Sequence, residues 1–174
     1  YMEHQLKTAK THANLLSPLR VGAHELRNRV IMGSMHTRLE SQDDAIVKQV
    51  AFYAERARGE VALVITGGFS PNDDGLMEAD GPRLDDAQEA LKLTPIVDAV
   101  HAEGALLCAQ IPHAGRYAKL ENCVAPSPIT MPTNQIVPSE MTPADIMTTN
   151  KDFGQAVAKA EAARLDGARV VGAA

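Results

Sequence analysis

Three short stretches combine small residues with groups able to donate, accept or exchange protons. They are Met32-Gly-Ser-Met-His36, Thr66-Gly-Gly68 and Gln110-Ile-Pro-His113, the last followed by Gly115-Arg-Tyr117. The Gly67-Gly68 pair lets backbone approach a flat ring closely, because no Cβ intervenes. The Gln110 amide offers a donor and an acceptor side by side, which suits a pyrimidine-type edge where the two alternate. His36 and His113 are candidates for proton exchange or polar anchoring, and Arg116 and Tyr117 add a cation and a hydroxyl. Each has a plainer reading as well. A glycine pair is commonly a turn, a lone histidine a satisfied structural group, Arg116 the partner of an acid, and Gln110 a loop tie.

What joins these stretches is their place in the chain, because each closes an apolar run. Strand-like runs cover residues 29–32, 61–66, 105–111 and 168–171. The inner ones are almost continuously apolar, the pattern of strands buried on both faces of a parallel sheet. Helical patterns lie between them. Over residues 46–58 the apolar positions Val47, Val50, Ala51 and Ala54 share one face. Over 94–103, Thr94 reads as a cap, Pro95 as the first helical residue and Gly104 as the stop, with Ile96, Val97 and Val100 as the buried stripe. The last helix opens at Thr142-Pro-Ala-Asp145 and runs to about Leu165, burying Ile146, Phe153, Val157 and Ala160. Alternating strands and helices at this spacing give right-handed βαβ units and a parallel sheet. Ahead of them, Leu19-Arg-Val-Gly22 and His24-Glu-Leu26 read as a small hairpin able to plug one end of a barrel. Residues 112–143 hold six of the ten prolines and show no periodicity. A loop that long, leaving the carboxyl end of a strand, is expected to border a site.

Composition narrows the classes. With 174 residues, 45% hydrophobic and 22% charged, the chain is a globular domain able to bury a core. Its net charge of −5 argues against a nucleic-acid partner. No apolar run approaches the roughly 20 residues that span a bilayer. Residues 1–11 are polar, carry Lys7 and Lys10 and lack a signal-peptide core, so a cytoplasmic location is expected. Cys108 and Cys123 do not make a metal-ligand spacing and read as two unpaired thiols, so no metal site is expected.

The motifs together resemble a known family. Leu16-Ser-Pro-Leu-Arg-Val-Gly22 and Leu26-Arg-Asn-Arg-Val-Ile-Met-Gly-Ser-Met-His36 are similar to the opening of the Old Yellow Enzyme-like NADH:flavin oxidoreductases, closest to their 2,4-dienoyl-CoA reductase branch. Phe52-Tyr-Ala-Glu-Arg-Ala-Arg58, Val61-Ala-Leu63, Gly67-Gly68, Gln110 and His113-Ala-Gly-Arg-Tyr117 follow in the same order. So do Ala125-Pro-Ser127, Val137-Pro138 and Asp166-Gly167. The resemblance covers residues 16–172 and implies the N-terminal half of a TIM (β/α)8 barrel: about four strand–helix units, with a polar extension over 1–14 and a partial FMN-binding domain over 15–174. It implies FMN as cofactor and NAD(P)H as electron donor. Ser34, Met35, His36, Gly68 and Gln110 would contact FMN, and His113, Arg116 and Tyr117 would lie on the substrate-side loop. The implied reaction is hydride transfer from reduced flavin to an activated C=C bond, in an unsaturated carbonyl compound or acyl-CoA.

The chain departs from that pattern at its end. The family's proton-donating tyrosine follows the fourth strand in a Gly-Ser-Glu-Gly-Tyr-like stretch, whereas this chain reads Gly172-Ala-Ala174. The phosphate loops, and the 4Fe-4S and FAD sites of the branch, would lie further downstream. The expectation is therefore a fragment that is inactive alone, binds FMN weakly or not at all, and self-associates through open barrel edges. Two other readings stay open: an amine-demethylating flavin dehydrogenase of the same family, and a truncated non-catalytic chain. Aldolase-like chemistry is disfavoured, because no lysine sits at a strand end.

Overall fold

The structure, a computed structural model, describes residues 12–171. The extension expected over residues 1–14 lies almost wholly outside the described residues, as does Gly172-Ala-Ala174. After a single helical turn, α1 (Ala13–Leu16), the chain forms the expected hairpin from β1 (Leu19–Val21) and β2 (His24–Leu26). Gly22 sits in its turn at φ +59°, a conformation that favours glycine. The main body follows in order: β3 (Ile31–Met32), α2 (Ala45–Arg58), β4 (Leu63–Gly68), α3 (Ala87–Leu91), α4 (Thr94–Ala102) and β5 (Leu106–Pro112). A short pair, β6 (Val124–Ala125) and β7 (Ser139–Glu140), precedes α5 (Pro143–Ala162) and β8 (Gly167–Val171).

The four principal strands form one parallel sheet in the order β3-β4-β5-β8. Helices cover one face, and the core there contains Val64, Leu107, Ala109, Ile111, Ile96, Val97, Val100 and Ala160. The sequence suggested strands buried on both faces. Instead burial alternates along β4 and β5, with Leu63, Ile65, Leu106, Cys108 and Gln110 only half-buried. Those residues point to the inner, concave side, which no layer within residues 12–171 covers.

Two helical faces also differ from the expectation. α2 buries Gln49, Tyr53, Ala54 and Ala57, while Val47 is 68% exposed. The helix is rotated because the Tyr53 hydroxyl accepts a hydrogen bond from the Gly67 N–H at 3.2 Å, a polar anchor that apolar periodicity does not register. α5 buries Ala156 and Ala160, whereas Ile146 and Val157 lie exposed; small residues let this helix approach the sheet closely. Its start is as expected, a capping box in which Thr142 Oγ1 accepts from the Asp145 N–H and Asp145 from the Thr142 N–H. At α4 the stripe of Ile96, Val97 and Val100 is buried, but the cap is Leu93 and Pro95 is the second helical residue.

Arg27 fastens the amino-terminal ends of the strands. Its guanidinium donates to the carbonyls of Ala57 (2.5 Å), Val61 (2.8 Å) and Glu103 (2.8 Å). Two of these belong to the carboxyl ends of α2 and α4, where carbonyls lack intrahelical partners and the helix dipole favours a cation. The opposite end of the sheet is left free to hold a site.

Candidate functional site

The strand ends converge as the motifs suggested. Ser34 and His36 after β3, Gly68 at the end of β4, and Gln110, His113 and Tyr117 in and after β5 line one cavity of about 630 Å³. Its location, at the carboxyl ends of parallel strands, is where α/β barrels build their sites. Its size falls within the range of small-molecule and cofactor pockets. Met35 and Arg116 stand outside the lining: Met35 is 53% exposed, and the Arg116 guanidinium lies 5.9 Å from the centre of the Tyr117 ring.

A bulge in β4 sets the juxtaposition at the base of the cavity. Ile65 pairs with Cys108, but Gly68 rather than Gly67 pairs with Gln110. The extra residue turns Gly68 to the same side as Gln110. Thr66 maintains the bonding there, its Oγ1 accepting from the Gln110 N–H at 3.3 Å. Gly68 is confined on its other side too. A Cβ at this position would lie 2.7 Å from Pro112 Cγ, so only glycine fits between the strand and the proline ring.

His113 forms part of the wall. Its Nδ1 accepts from the Gly115 N–H at 3.1 Å, which leaves the proton on Nε2. That Nε2 is buried without a protein partner. Burial pushes the His113 pKa below the ordinary imidazole value, against a weaker opposing pull from Asp74, so the ring is a neutral donor near neutral pH.

Sequence reasoning missed the segment that closes the cavity. Residues 70–84 form a strap whose base is stapled by Ser70 N–H to Pro82 O and Leu84 N–H to Ser70 O, both 2.9 Å. The strap reaches the β5 loop through Ala114 N–H to Gly75 O and Lys119 N–H to Met77 O, again 2.9 Å each. Asn72 ties it to α5 by donating to Asp152 at 2.8 Å. Glu78 gathers Arg38 at 3.3 Å and Lys119 at 2.5 Å at the rim, and the Lys119 hydrogen bond foremost holds its carboxyl below the usual carboxylate range. Signals were present in Asn72 and in Asp86-Ala-Gln-Glu89, since Asp86 caps α3 by accepting from the N–H groups of Gln88 and Glu89. The loop over 112–143 is built around its own small core of Ala114, Ala118, Cys123 and Ile136, with Asn134 bridging the Arg116 and Ala118 carbonyls at 2.9 Å each.

A parallel sheet flanked by helices on one face, with a cavity at its carboxyl ends, defines part of a TIM-barrel enzyme scaffold. Residues 14–174 match the profile of the NADH:flavin oxidoreductase / NADH oxidase family, and the chain belongs to that family. It is 36% identical over 165 residues to a metal reductase of Desulforamulus reducens, covering 92% of this chain and 24% of that protein. It is 34% identical over 167 residues to an NADH oxidase of Thermoanaerobacter brockii, covering 92% and 26%. It is also 30% identical over 156 residues to an NADH:acrylate oxidoreductase of Vibrio harveyi, covering 86% and 15%. Among solved structures, Old Yellow Enzyme from a Pichia species superposes with a TM-score of 0.78 at 25% identity, covering 90% of this chain and 45% of that one. The chain thus spans about a quarter of the first two relatives and under half of the solved barrel. Among the described residues, no helix is long and apolar enough to cross a membrane.

The cavity suits a flavin on its chemistry. A backbone-only patch at Gly68, the Gln110 amide beside it and the unpartnered buried Nε2–H of His113 offer a flat contact and directed polar groups.

Proposed function

We propose that this chain supplies the FMN-facing half of an oxidoreductase barrel that reduces activated C=C bonds, in enoates or 2,4-dienoyl-CoA thioesters, at the expense of NAD(P)H. The observation that carries the reading is the meeting of Ser34, His36, Gly68 and Gln110, from three successive strands, in one cavity. FMN, when bound, would supply hydride-transfer chemistry between NAD(P)H and the β-carbon of the alkene.

The protein's part is to hold, orient and exclude water. Ser34 and His36 would border the ring from the end of β3, and Gly68 would contact it through backbone. Gln110 meets its pyrimidine edge. On the substrate side, the neutral His113 keeps its proton on Nε2, where it can donate to a carbonyl oxygen without adding charge. Tyr117 extends that wall. Among the described residues β3 and β8 are the edges of the sheet, with Ile31 48% and Val170 51% exposed, an arrangement that favours self-association and weak FMN retention.

The test is FMN titration into the purified chain, read by flavin fluorescence and visible absorption. Saturable uptake that Gln110→Met weakens supports the reading. Uptake that Gln110→Met leaves unchanged overturns it.

A further inference from the structure

We infer that Arg169, on the last described strand, is a positioning residue. It fixes the Gln110 amide so that its NH₂ group, rather than its carbonyl oxygen, faces the bound ring. The inference rests on the flavin reading above and adds a residue that neither the motifs nor the relatives single out. β5 and β8 run parallel with Gln110 directly opposite Arg169, so both side chains project from the same, inner face of the sheet. There Arg169 Nη1 donates to Gln110 Oε1 at 3.1 Å.

That bond decides what Gln110 can offer. Taken from the sequence, the amide presents a donor and an acceptor. With one lone pair of Oε1 engaged by a guanidinium on the β8 side, the amide is pinned so that the two N–H donors of Nε2 are turned away from β8. The Nε2 atom lies on the Gly68 side, 3.9 Å from where a Cβ of that residue would stand, and both residues line the cavity. A cation on the oxygen also polarises the amide and strengthens its N–H donors. Gln110 therefore aims its N–H donors at acceptors on the ring edge, carbonyl oxygens or unprotonated ring nitrogen.

The experiment uses the whole chain with ¹⁵N-labelled glutamine, observing the Gln110 side-chain NH₂ signals, which Gln110→Met identifies by their loss. In the wild type those signals should be well dispersed, with the heteronuclear NOE of a held group. They should become mobile in Arg169→Met and be held again in Arg169→Lys, while the thermal midpoints of the three proteins stay together. FMN should shift the Gln110 NH₂ signals, and Arg169→Met should weaken that binding about tenfold, equal to about 1.4 kcal/mol. Gln110→Glu discriminates the orientation. It should bind FMN worse than Gln110→Met, because a carboxylate oxygen would face ring acceptors.

An equally held Gln110 in Arg169→Met overturns the inference, and so does Gln110→Glu binding FMN as tightly as wild type. If FMN binds yet leaves the Gln110 NH₂ signals of the wild type unmoved, the flavin reading fails and takes the ligand half of the inference with it. The mobility comparison between wild type and the Arg169 variants still decides the positioning half, so the two failures are distinguishable.

Discussion

Replacing Gly68 by alanine should destabilise the chain and loosen its grip on FMN in a way that neighbouring glycines do not share. The added Cβ would stand 2.7 Å from Pro112 Cγ and 3.1 Å from Cδ. Carbon atoms pack at roughly 3.5–4.0 Å, so the overlap approaches 1 Å. The proline ring cannot turn aside, because it is part of the β5 backbone, so β4 and β5 must separate locally. Overpacking of this kind costs about 1–3 kcal/mol. At about 2 kcal/mol, a chain of this length loses roughly 4–8 °C in Tm. Gly33→Ala is the control, since nothing lies within 4 Å of its Cβ, and Gly67→Ala is intermediate, with Met35 O at 3.2 Å. Differential scanning calorimetry should therefore rank the variants Gly33→Ala, Gly67→Ala and Gly68→Ala in order of increasing loss. Flavin fluorescence should show FMN affinity falling chiefly in the last. Equal midpoints for Gly33→Ala and Gly68→Ala would refute the claim that Pro112 dictates the glycine.

Three further outcomes follow from the same geometry. Arg27→Met should lower the urea unfolding free energy by about 3 kcal/mol, since buried carbonyls at two helix ends lose their donor; an unchanged midpoint would mean that water replaces the guanidinium at no cost. Because burial depresses the His113 pKa below 6.5, its contribution to stability is present above pH 6.5 and is lost as pH falls from there through the folded pKa. A stability–pH curve for His113→Gln should be flatter over that window than the wild-type curve. The Cys108 thiol, pushed up to about 11 chiefly by burial and further by Asp166, should react slowly with Ellman's reagent at pH 8 in the native chain and rapidly in denaturant.

The sheet and its strand ends were legible because they depend on local apolar runs and short motifs. Gly68, Gln110 and His113 were found from their residue types and from their position after such runs. The rotation of α2 was not legible. It depends on the hydroxyl of Tyr53 reaching Gly67, a contact between residues that no periodicity links. The shallow burial of α5 escaped for a related reason. Ala156 and Ala160 carry less hydrophobic signal than Ile146 and Val157, yet their small size decides which face can approach the sheet. The strap over 70–84 was invisible as a wall because its bonds run through backbone, and the role of Arg169 became visible only when parallel register set it opposite Gln110.

The strap has a consequence for how such a protein can change over generations. Its two ends are clasped together at Ser70, Pro82 and Leu84, so the intervening residues hang from a closed base. Lengthening or shortening a loop whose ends are already joined alters closure entropy only slowly with length. Apart from Leu76 and the Leu84 side chain at the strap's base, the apolar core lies elsewhere, in the helix-covered face, and the Arg27 clasp holds the far end of the strands. Substitutions at the strap's exposed positions, away from Leu76 and Leu84, can therefore explore new ligand shapes while the scaffold stays intact, so specificity and foldability are written largely in separate residues.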